Sequence, residues 1–191
     1  TATLRALLRG ETVEWDGALI AMSHPDGFAP RRPIHTPLVL AAQGPKGRAA
    51  ADAVADGIFT VGPAGGFAWV AELMLGTVLD PGEDPGSARA LAAAGPGAAV
   101  FYHLMYDGRG WGDVSVLPGG DEFRQRAEAL PAAGRHLAIH GSHLVAVNEL
   151  DEGIVSGAVT AGLGLAAEAD AWRTRLTASA AAGVTEAVFQ P

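Results

Sequence analysis

Short, unbroken apolar runs alternate along this chain with small-residue stretches at helical spacing. That pattern predicts parallel strands covered by helices. Four runs read as strands: 38–42, 57–61, 73–79 and 185–189, which suit either an open doubly wound sheet or half of a (β/α)8 barrel. The third is the later part of a longer apolar run that begins at Phe67. Between the first two, Lys46 to Ala55 reads as a helix of small residues. Upstream, Thr3 to Arg9 has helical spacing with Gly10 as its stop. Thr12 to Ile20 carries Asp16-Gly17, which suits a two-residue type I′ hairpin. Residues 23–37 hold four prolines and the pair Arg31-Arg32, and read as an irregular loop.

Beyond the third strand, Asp84-Pro85 has the chemistry of a helix start. Gly95-Pro96 reads as a break, after which Val100, Phe101, Leu104 and Met105 repeat at helical spacing. Residues 107–121 have loop composition, and Phe123, Ala127 and Leu130 share one face of a short helix that Pro131 ends. The stretch 135–165 has no clear period. Trp172, Leu176 and Ala180 then define a helix face, with Gly183 as its cap before the last strand.

Composition narrows the classes. Of 191 residues, 49% are hydrophobic and 18% charged, which supports a packed core. A net charge of −8, with few and scattered Lys and Arg, argues against a nucleic-acid footprint. With no cysteine there is no disulfide framework, thiolate nucleophile or zinc–sulfur site. No run reaches the roughly 18 apolar residues of a membrane helix, and the first residues lack a signal-peptide pattern, so a cytoplasmic location without a membrane partner is expected. The chain opens within one element and stops just after another, which reads as part of a larger fold.

The chemistry concentrates at one turn. Pro37-Leu38-Val39-Leu40-Ala41-Ala42-Gln43-Gly44-Pro45-Lys46 passes from strand to helix through a glycine turn. Free amides and the positive end of a helix dipole meet at such a turn and favour an anion. Ala41, Ala42, Gln43, Gly44, Pro45 and Lys46 are therefore candidate ligands for a phosphate, although the same residues also suit a plain strand–helix turn. Thr60-Val61-Gly62, ending the next strand, is the second candidate: Thr60 and Gly62 would complete the phosphate cradle, and a flexible glycine loop with Gly65 and Gly66 is the equal alternative.

His136, His140 and His143 would share one helical face, a spacing that resembles a metal site. No acidic residue lies within that run, and a structural or pocket role is the expectation, with no metal. Tyr102, His103 and Tyr106 read as core or interface, Trp15 and Trp172 as packing residues, and Glu72 as a solvated residue at a strand start. No Gly-x-Ser-x-Gly, Walker or Gly-x-Gly-x-x-Gly motif is present.

The 37–46 segment, followed by Ala53-Val54-Ala55-Asp56-Gly57-Ile58, resembles the bacterial luciferase-like monooxygenase family. The patches Gly76-Thr77-Val78-Leu79, Gly95-Pro96-Gly97-Ala98-Ala99, Arg135-His136-Leu137-Ala138-Ile139-His140 and Ala182-Gly183-Val184-Thr185-Glu186 are similar to the C-terminal half of such proteins. The resemblance implies an α/β fold, the C-terminal half of a TIM (β/α)8 barrel with an insertion. One barrel domain would then comprise a helix end, hairpin and loop (1–36), βα units (37–79), a helical insertion (80–183) and the last strand (184–191). It implies an oxidoreductase or monooxygenase whose redox chemistry is carried by FMN or a deazaflavin (coenzyme F-420), with its phosphate at the 41–46 turn. It also implies a small organic substrate, a homodimer, and no catalytic residue assignable within this chain. A non-catalytic half-barrel binding or assembly module is the alternative.

Overall fold

The computed structural model describes residues 2–25, 27–62, 64–108 and 112–190. Part of the expected 107–121 loop, residues 109–111, lies outside them. The chain divides into two compact units, residues 1–73 with 179–188 and residues 74–178 with 189–191.

The first unit opens with helix α1 (Ala2–Arg9). It ends at Gly10, whose φ of +89° lets the amides of Gly10 and Glu11 reach back to Leu7 and Ala6. Strands β1 (Val13–Trp15) and β2 (Ala18–Ile20) form the expected hairpin. Asp16 and Gly17 both have positive φ, as a type I′ turn requires. Trp15 is 61% exposed on this ribbon, so it does not pack as its size suggested.

Strands β3 (Val39–Ala41), β4 (Gly57–Thr60), β5 (Trp69–Leu75) and β8 (Glu186–Gln190) make one sheet in that spatial order. The first three pair in parallel. At the start of β8, the Thr185 amide donates to Val70 O. Helix α2 (Pro45–Val54) joins β3 to β4. Its alanine-rich sequence favours a helix despite Gly47, and Gly47 lets the first turn close on Ala42, 3.2 Å from where a side chain would begin. Leu40, Ile58 and Val70, which are register partners, form a small core with Ala42 and Ala51. A parallel α/β sheet is thus present as expected. Its last strand is not covered on both faces, however, since four of its five residues are exposed.

The expected strand 73–79 is two strands. β5 starts earlier, at Trp69, and Gly76 ends it with a φ of +122°. Residues Thr77–Leu79 form a separate strand, β6, paired in parallel with β7 (Ala166–Glu168). Apolar content alone does not register a backbone break at one glycine.

The second unit is built around helix α3 (Ala88–Tyr106). It starts at Ser87, whose Oγ accepts from the Ala90 amide, and not at Asp84, whose carboxylate instead caps a turn at the Gly86 amide. It also runs unbroken through Pro96. The carbonyl that Pro96 leaves without a partner belongs to Ala92, an exposed residue open to water, which lowers the usual cost. Buried Ala90, Ala94, Ala98 and Tyr102 pack with Val114, Phe123, Ile139, Val159 and Leu165. Around α3 lie α4 (Gly120–Glu128), α5 (Arg135–Ile139) and α6 (Gly157–Gly162). In α7 (Ala169–Ala181) the buried residues are Trp172 and Ser179, whereas Leu176 and Ala180 are exposed, so the expected three-residue face is not the one used. Trp172 is held by its indole N–H on Thr77 O (3.0 Å) and an edge contact with Phe189.

The start of α3 carries an acid-sensitive clasp. Glu83 accepts from Ser87 Oγ (2.7 Å), Arg89 Nε (2.9 Å) and the Asp80 amide (3.0 Å). Hydrogen bonding from Arg89, then from Ser87 and Asp80, lowers the Glu83 carboxyl from 4.5 to about 2. A carboxyl depressed on folding adds stability above its unfolded value, and that stability is lost as pH falls through the folded one. Glu83→Gln will therefore lower the urea midpoint at pH 7. Its gap to wild type will close as pH is taken from 4.5 to 2, followed by circular dichroism.

Candidate functional site

The first candidate site is the carboxyl edge of the β3–β4–β5 sheet. Because α2 returns the chain between two parallel strands, its N-terminus lies at that edge. Gly44 is its N-cap, with no side chain bonded to the first turn, and Pro45 opens the helix. The amides of Lys46 and Gly47 fall in the first turn, where no helical carbonyl reaches them. Gln43, Gly44, Pro45 and Lys46 are exposed, Ala41 is exposed and Ala42 is buried. Nothing lies within 4 Å of where a Gly44 side chain would begin, so the backbone is open to a ligand.

The two sequence-predicted strand ends do meet. Gln43 Oε1 lies 3.4 Å from Thr60 Oγ1 and 3.5 Å from the Val61 amide, and Thr60 Oγ1 accepts from the Gly62 amide at 3.3 Å. Arg48 is committed elsewhere, to Asp52 (3.1 Å), to the carbonyl of Gly65 and to the face of Phe67. Lys46 makes no ion pair among the described residues.

Glu72 corrects the reading of a solvated strand start. It sits within β5, 3% exposed, as the register partner of Thr60 and on the same face of the sheet. Its Oε2 has no hydrogen-bond partner among the described residues. A buried carboxylate without a donor is costly and marks a place where a donor is wanted.

The second candidate site lies in the other unit. His136 takes no part in it; the histidines that come together are His103, His140 and His143. His103 Nε2 lies 3.0 and 3.1 Å from the two oxygens of Asp151, both residues being fully enclosed. Its ring stacks on Phe123. His140 Nε2 lies 3.2 Å from Asp107 Oδ2, and its Nδ1 lies 3.4 Å from His143 Nδ1. Acidic partners are therefore present, although none occurs within the histidine run itself.

Asn148 fixes the frame. Its Nδ2 donates to the carbonyls of Ala138, Ile139 and Gly141, around His140, while its own amide donates to Asp151. Although His143 is exposed at the surface, partial desolvation of its ring, with the charges of His140 and His103, holds it below its ordinary pKa. His103, as expected, is in the core, and so is Tyr102. The 48-residue separation of His103 and Asp151 hides this pair from any local spacing rule.

No family model, no curated protein and no solved structure matches this chain. Among the described residues no helix is long and apolar enough to cross a membrane.

Proposed function

We propose that this chain carries the cofactor-phosphate site of a luciferase-like oxidoreductase or monooxygenase, with FMN or a deazaflavin as the redox group. The observation that supports this reading is the uncapped first turn of α2, its Lys46 and Gly47 amides without a helical partner, near Gln43 and Thr60 at the carboxyl edge of a parallel sheet. Barrel enzymes place their sites at that edge.

Strand order favours a barrel over a doubly wound sheet. β3, β4, β5 and β8 are neighbours in the same order as in the sequence, with no reversal and hence no switch point. In this reading they are the later strands of a (β/α)8 barrel. Lys46 would add a positive charge, and Glu72 would accept from hydroxyl groups of such a cofactor's stem. The bound flavin supplies electron transfer. The residues of this chain bind its phosphate and orient its stem.

Titrating the chain with FMN and with the deazaflavin, while following quenching of their fluorescence, tests the reading. Saturable one-to-one binding of at least one of them is expected. No binding of either at 100 μM, as an order-of-magnitude ceiling for a resident cofactor, would overturn it.

A further inference from the structure

We propose that His103, His140 and His143 bind one divalent transition metal, zinc foremost, with water completing the coordination. The inference is independent of the flavin reading: every residue it uses belongs to the second unit.

The first observation is convergence. One ring nitrogen from each histidine lies within 4.8 Å of those of the other two. Two nitrogens bound to one tetrahedral zinc at roughly 2.0–2.1 Å stand about 3.3 Å apart. His140 Nδ1 and His143 Nδ1 are already 3.4 Å apart. His103 brings a third ring nitrogen into the same 4.8 Å cluster.

The second observation is the state of the far nitrogens. Metal-binding histidines characteristically donate their other ring N–H to a carboxylate or carbonyl, which fixes tautomer and ring orientation. His103 Nε2 is held by Asp151 and His140 Nε2 by Asp107, so the nitrogen each has left to give is Nδ1. For His103 that Nδ1 is buried and has no partner among the described residues, in a residue 2% exposed. An orphaned buried nitrogen beside two further imidazoles is a lone pair awaiting an electrophile.

The third is preorganisation. Phe123 stacks on His103, Asn148 clamps the turn under His140, and Ser142 and Leu144 both hold positive φ (+58° and +60°) on either side of His143. Non-glycine residues in that region cost on the order of 1 kcal/mol each and persist where something else requires the geometry.

An all-imidazole donor set suits zinc, copper or nickel and disfavours magnesium and calcium, which want oxygen. Binding needs no net chemistry from the protein beyond a tautomer shift. The proton in the His140–His143 contact moves to His143 Nε2, and both Nδ1 lone pairs are freed. His143 is exposed, so the fourth position faces solvent, as in sites that keep a bound water.

Titration of the EDTA-stripped, dialysed chain with zinc chloride against a chromophoric competitor tests this. The expected result is one equivalent bound with a Kd below about 1 μM. The affinity should fall at least tenfold in both His140→Ala and His143→Ala and stay unchanged in His136→Ala. His143 is exposed, so its variant will fold, as circular dichroism will show. Cobalt in place of zinc should give the intense visible bands of a four-coordinate ion in wild type and lose them in His143→Ala. No binding tighter than about 100 μM, or an affinity that either histidine variant leaves within tenfold, would overturn the proposal.

Discussion

Replacing His103 by alanine, with EDTA present, will cost about 3–5 kcal/mol of folding free energy, read from urea denaturation. Asp151 is fully buried, and both its oxygens lie within 3.1 Å of the His103 ring. Removing the ring strips a buried carboxylate of its strongest donor, leaving the 3.4 Å contact from the Asn148 amide. It also opens a cavity against Phe123, on which the ring is stacked. Asp151→Ala should cost a comparable amount, because it leaves a buried ring N–H unmet. The double variant should cost less than the sum of the singles by at least about 1 kcal/mol, since each single change already breaks the shared bond. Additive costs would mean that the pair contributes no coupling.

Gly76→Ala is the second severe change, with an expected loss of about 3–5 kcal/mol by the same assay. A methyl group there would begin 2.0 Å from Leu165 O and 2.7 Å from its carbon, inside the closest approach of any real side chain. The backbone φ of +122° adds strain that only glycine escapes. Gly76 is also where the Thr77 amide turns to meet Leu165 O at 2.7 Å, the bond that starts the β6–β7 pairing. Gly82→Ala is the control. Its φ is also positive, at +75°, but nothing lies within 4 Å, so about 1 kcal/mol of backbone strain is expected. Equal effects at both glycines would mean that close packing at Gly76 matters little.

Local sequence signals specify the structure where local chemistry decides it. Asp16-Gly17 demanded positive φ at both positions, Gly10 supplied a left-handed stop, and the 37–61 stretch carried a strand, a turn and a helix in order. The structure departs from the local pattern where a distant partner decides. Gly76 splits one apolar run because Leu165 approaches it, and Pro96 is accommodated because the carbonyl it orphans belongs to an exposed residue. Glu72 has an unremarkable sequence context, and only the pairing of β5 with β4 shows it enclosed beside Thr60. The histidines illustrate the limit most clearly. Regular spacing groups His136 with His140 and His143, but α5 ends at Ile139 and the backbone turns to positive φ at Ser142, so the helical period does not reach His143 and the third member comes from α3.

The most direct test of the phosphate site is the ratio of FMN to riboflavin affinity, in wild type and in Gly44→Asp. The two ligands differ only in the phosphate, which charge-assisted bonds to the α2 amides should favour roughly ten- to a hundredfold. Aspartate suits the extended N-cap conformation at Gly44 (φ −96°, ψ 167°), so folding will be unharmed, while its carboxylate occupies the same amides. A clear FMN preference in wild type that disappears in Gly44→Asp is the predicted result. Equal affinity for the two ligands in wild type, or a preference that survives the substitution, would contradict it.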